Sequence, residues 1–96
     1  MENLPPVQDV PQRNRFEMRL DNAIAYIDYR RANGVLTLLF ASVPAHWSGR
    51  GVGSALVRGA LELAAAEPVK VVPVCGFVAH YMRRHPEFQH LQARSS

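Results

Sequence analysis

From Asn14 onward polar and apolar residues alternate: Arg15, Glu17 and Arg19 are interleaved with Phe16, Met18 and Leu20. That period of two predicts a half-buried strand, and Asp21-Asn22 predicts a tight turn into a second strand over residues 23–31. Asn33-Gly34 then marks another hairpin, because both central residues of a type I′ turn need positive φ and this pair tolerates it best. The third predicted strand covers residues 35–42. Leu36, Leu38 and Phe40 fall on one face and Val35, Thr37, Leu39 and Ala41 on the other. Two apolar faces predict a central strand covered on both sides.

After Pro44 the period changes. Val52, Ala55, Leu56, Gly59, Ala60, Leu63 and Ala64 recur at spacings of three and four, predicting an amphipathic helix of about four turns that ends at Glu67-Pro68. Residues 69–75 read as a buried strand in which Pro73 limits pairing, and residues 78–84 as a short helix stopping before Pro86. The resulting fold class is α+β: antiparallel strands plus one strand–helix–strand crossover. Residues 1–12, with Pro5, Pro6 and Pro11, read as an extended, flexible lead-in, residues 13–92 as the folded domain and residues 93–96 as a tail.

Composition narrows this picture. A chain of 96 residues has room for one core, and 48% hydrophobic with 20% charged residues is ordinary for a globular domain. No apolar run approaches the roughly 18–20 residues of a membrane span, and the first twelve residues have neither the basic start nor the apolar stretch of an export signal. With a single cysteine, Cys75, these features predict a cytoplasmic protein. The net charge of +3 arises entirely after residue 48, which suits an anionic partner, a phosphorylated small molecule or nucleic acid. Nucleic acid is the weaker of the two, since no basic and aromatic stacking platform or recognition helix is visible. No residue spacing predicts a metal site.

The candidate chemistry lies in Ser48-Gly49-Arg50-Gly51-Val52-Gly53-Ser54, between the third strand and the long helix. Glycines permit close backbone approach, and a helix N-terminus directs unpaired N–H groups and a positive dipole end at a ligand. The loop therefore reads as an anion site or, without a ligand, as a tight turn. A P-loop would need Lys and then Ser or Thr after its last glycine, where Ser54-Ala55 stands. A dinucleotide fingerprint would need glycine at Leu56. Both are excluded. Pro44 and Pro73 lack N–H groups, so the third and fourth strands are expected to separate near them, leaving edges an amide-containing arm could line. Arg83, Arg84 and His85 form a basic cluster that could hold phosphates or simply be solvated. His46 and Trp47 precede the glycines.

The run Val43-Pro44, Gly49 to Leu56, Lys70 to Val78 with its Pro73-x-Cys75-x-Phe77 block, Tyr81, and Arg84-His85-Pro86-Glu87-Phe88 resembles small stand-alone acetyltransferase-like proteins of the GNAT superfamily, the Yjdj type. The resemblance spans roughly residues 14–92. It implies a compact fold with splayed central strands, acetyl-CoA as cosubstrate and an unidentified amine as acceptor. It also implies a pyrophosphate held by backbone donors of Gly49, Arg50, Gly51, Val52, Gly53 and Ser54, beside Ser48, with Arg83 and Arg84 as further phosphate ligands. Val43 would pair with the pantetheine arm and stabilise an oxyanion, and Tyr81 would protonate the departing thiolate. Cys75 would lie near the thioester as an alternative, nucleophilic group. Relatives commonly carry a His-Thr pair where this chain has Phe40-Ala41, so a general base is missing and His46 is the nearest substitute. The implied function is N-acetyl transfer; the alternative is an acetyl-CoA-binding module without turnover.

Overall fold

The computed structural model describes residues 3–93. Five strands form one sheet in sequence order, β1 (Gln8–Val10), β2 (Arg15–Arg19), β3 (Ile24–Ala32), β4 (Val35–Ser42) and β5 (Lys70–Pro73). The first four are antiparallel, and β5 lies parallel to β4 because α1 (Val52–Ala65) carries the chain back across the sheet. Helix α2 (Gly76–Arg84) and a 3-10 segment at Pro86–Leu91 follow. The β3–β4 turn is the expected one: Asn33 and Gly34 have φ of 53° and 74°. Among the described residues no helix is long and apolar enough to cross a membrane.

The lead-in is more ordered than its prolines predict. Gln8–Val10 pairs with Arg15–Arg19 as an edge strand, and the two turn through a 3-10 segment at Pro11–Arg13 closed by Asn14 in the left-handed conformation. Two distant cross-links hold it. The Tyr29 hydroxyl donates to Asp9 Oδ1 at 2.6 Å, and the Arg31 guanidinium bridges Asp9 at 2.9 Å and Glu67, beyond the end of α1, at 2.8 Å. At the other end Ala93 donates to the Val71 carbonyl, so the chain still runs along the outer edge of β5 where a tail was expected. Residues 94–96 of that expected tail lie outside the described residues.

The core occupies one face only. Phe16, Met18, Ala25, Ile27, Tyr29, Leu36 and Leu38 from the sheet meet Val52, Leu56, Val57, Ala60, Leu61, Val78 and Met82 from the helices in a single cluster. The expectation that β4 is covered on both sides is corrected by a β-bulge. Tyr29 pairs with Leu38 but Asp28 pairs with Phe40, so Leu39 is a residue in excess and the inward–outward alternation changes phase there. Before the bulge Leu36 and Leu38 point to the core. After it Ala41, opposite Ile27, faces the helices, while Phe40 turns to the open face, 54% exposed and 6.4 Å from the Tyr26 ring.

Candidate functional site

The bulge lies at the level where pairing on the other edge of β4 stops. The β4–β5 ladder ends at Leu38 opposite Pro73, with one further bond from the Cys75 N–H to the Leu38 carbonyl at 2.9 Å. Residues 39–42 of β4 have no partner on β5. The expected gap beside β4 is there because β5 stops at Pro73 and the chain enters α2 at Gly76, not because two paired strands diverge. Beside this unpaired edge lies an open groove of about 420 Å³, lined by Ala41 of β4, Val43 just after it, Trp47, Ser48, Gly49 and Gly51 of the loop, Val52, Gly53 and Ser54 of α1, and Phe77 of α2.

The loop is built to leave the helix end open. A 3-10 turn at Ala45–Trp47 is closed by the Trp47 N–H on the Pro44 carbonyl and by both the Ser48 N–H and hydroxyl on the Ala45 carbonyl. Ser48 is therefore occupied in shaping the turn. Gly51, at φ 80°, is the N-cap of α1, and no side chain caps the N–H groups behind it. Those of the first turn have no acceptor within the helix, and the first turn itself holds no acidic residue, so they direct positive partial charge into the groove. A Cβ built on Gly53 would stand 2.9 Å from the Phe77 ring, so the narrow wall there exists only because this residue has no side chain. None of the lining residues is ionisable. The groove can bind an anion at one end and a thin, mainly apolar arm along the β4 edge.

The structure brings together Val43, Ser48, Gly49, Gly51, Val52, Gly53 and Ser54, with Arg50 exposed on the same loop. It does not bring the remaining candidates to the groove lining. Arg83 and Arg84 are exposed in the last turn of α2, about 10 Å along the axis from Phe77, where they complement the negative end of the helix dipole. Tyr81 is 5% exposed and stacked on His85 at 3.8 Å between ring centroids. Cys75 is a half-buried free thiol at the N-cap of α2, just behind Phe77. His46 is exposed and meets Trp47 edge-on at 6.2 Å. Phe77 and Ala41 line the groove without having been singled out as site residues; Phe77 was legible as the last residue of the Pro73-x-Cys75-x-Phe77 block, one position before the predicted helix over 78–84.

Known proteins carry the same pattern. A family model for the GCN5-related N-acetyl-transferase matches residues 15–91. Protein NATD1 of Mus musculus is 28% identical over 85 residues, covering 84% of this chain and 76% of the mouse protein, and Protein NATD1 of Gallus gallus is 27% identical over the same span. An NMR structure of a GCN5-like N-acetyltransferase candidate from Staphylococcus aureus superposes with a TM-score of 0.72 at 26% identity, covering 100% of this chain and 94% of that one. Its fold, the bulged strand and the open helix end agree with one assignment: the chain belongs to the GCN5-related N-acetyl-transferase family.

Proposed function

We propose that this protein binds acetyl-CoA and transfers its acetyl group to an amine. The observation that carries the reading is the uncapped start of α1 at Gly51, opening on a groove that runs along the unpaired edge of β4. The residues present fit the ligand: first-turn N–H groups for the pyrophosphate, a wall at Gly53 that a Cβ would fill, and β4 backbone near Val43 for the amides of the pantetheine arm. Acetyl-CoA supplies an activated acyl carbon. The amine must arrive neutral, and the Val43 N–H is the candidate donor to the oxyanion. Cys75, behind Phe77, is the thiol nearest that end of the groove, and Tyr81 serves as acid only if its ring leaves His85.

A binding module without turnover is the second reading. It is favoured by the absence of any ionisable side chain from the lining and by the burial of Tyr81. Thermal unfolding tests the common part: coenzyme A at about a hundred times its dissociation constant adds roughly 2.7 kcal/mol, or on the order of 10 °C for so small a domain. No shift at millimolar ligand refutes both readings. Thiol release over a panel of amines separates them, and intact mass after incubation with acetyl-CoA reports an acetyl adduct that Cys75→Ala abolishes if the thiol is the nucleophile.

A further inference from the structure

The groove ends on a pair of side chains that phosphate binding does not use. Trp47, the one tryptophan of the chain, lines the groove, and the Arg50 guanidinium lies over its indole at 4.1 Å from the ring centroid. The indole is held by the 3-10 turn closed on Pro44 and Ala45, and Arg50 immediately precedes Gly51, the helix cap. A long, exposed arginine loses much side-chain freedom when held over a ring. Here the guanidinium carbon sits over the indole beside the anion site.

The order of groups along the groove identifies what this pair meets. Ala41, Val43 and Phe77 form an apolar channel for a thin arm, and the α1 N-terminus takes phosphates. A ligand that fills both has a further part to place beyond the phosphates, and the large side chains of the loop next to the cap residue Gly51 are Arg50 and Trp47, the latter also packed against the core. A guanidinium plane backed by an indole is a platform for a flat heterocycle, and bases stack on arginine planes as they do on aromatic rings.

We propose that Trp47 and Arg50 together read the nucleotide end of the thioester substrate, with the purine stacked on the guanidinium. The protein therefore selects thioesters carried on coenzyme A over the same phosphopantetheine arm without its nucleotide, as on a carrier protein. This inference rests on the acetyl-CoA reading above.

Calorimetry with coenzyme A and with 4′-phosphopantetheine tests it on the intact chain. The native protein should bind coenzyme A at least about tenfold more tightly, the scale of one stacked base. Arg50→Ala should remove most of that preference, weakening coenzyme A far more than 4′-phosphopantetheine, and Trp47→Ala, which also alters the groove wall, should weaken both but coenzyme A the more. Adenosine 3′,5′-bisphosphate, the nucleotide half alone, should alter Trp47 fluorescence in the native protein and leave it unaltered in Arg50→Ala. Equal native affinities, or losses of equal size for both ligands in the variants, overturn the proposal and reduce the pair to loop packing. If Trp47→Ala does not fold, Arg50→Ala decides alone, since it keeps the indole. Binding of neither ligand is a different failure, that of the acetyl-CoA reading itself.

Discussion

Two glycines of the loop separate steric from conformational demand. A side chain at Gly53 meets the exposed edge of Phe77, which can swing, so Gly53→Val should remain folded while narrowing the groove and lowering coenzyme A affinity at least about tenfold. At Gly51 an added Cβ meets nothing within 4 Å, but φ of 80° strains any other residue, so Gly51→Val should cost about 1–2 kcal/mol of stability. Calorimetry and thermal unfolding on the two variants distinguish these outcomes. Glu17 makes a residue-level case on the open face: it is fully buried in the sheet surface, beneath Arg13, whose guanidinium donates to it at 2.9 and 3.0 Å. That hydrogen bonding holds its carboxyl below the ordinary value of 4.5 despite desolvation. Because the folded-state value is depressed, the stabilisation is complete above the ordinary value and is lost as pH falls through the folded-state one. Glu17→Gln should lower the unfolding midpoint by on the order of 5 °C at pH 7, and the gap should close below pH 4.5. In the sequence Glu17 is indistinguishable from the solvated Arg19 two residues on, because its burial comes from Arg13 folding over it.

At the scale of elements, the hairpins and the long helix were legible because their cues are local: alternation, an Asn-Gly turn, a stripe at spacings of three and four. Strand β1 was not, since its three residues are flanked by prolines and its anchors, Tyr29, Arg31 and Glu67, lie 20 to 58 positions away from Asp9. The segment before it is also seated by a helix glycine. A Cβ on Gly59 would come within 2.5 Å of the Val7 side chain, so the chain crosses α1 where the helix has no side chain. Gly59→Ala should raise helix propensity by about 1 kcal/mol yet lose stability overall, because overpacking costs about 1–3 kcal/mol. Hydrogen exchange should then accelerate over residues 7–10 and remain unchanged in β3. Unchanged protection at β1 would mean that Val7 moves without loosening the strand.

For the whole molecule, the groove exists because two layers meet imperfectly: the helices cover one face of a sheet whose fifth strand stops at Pro73 while the fourth runs on to Ser42. Pro44 and Pro73 announced a limit to pairing in the sequence, since neither can donate to a ladder. The change of phase at Leu39 was hidden, because an apolar run reads the same in either frame, and with it the outward turn of Phe40. Counted as chain length, the bulge is a one-residue insertion. Removing Leu39 would leave Leu38, Phe40 and Ala41 pointing as they do now, with Tyr29 and Asp28 opposite consecutive residues of a regular ladder. The shortened strand would lose its bulge, while β5, which stops at Pro73, offers it no further partner. The deletion variant should therefore fold with a regular β3–β4 ladder and, with the edge that borders the groove re-aimed, lose coenzyme A affinity; retained affinity would locate the origin of the groove in the prolines and the end of β5 instead. On this account a single surplus residue aims the strand edge on which the proposed ligand would lie.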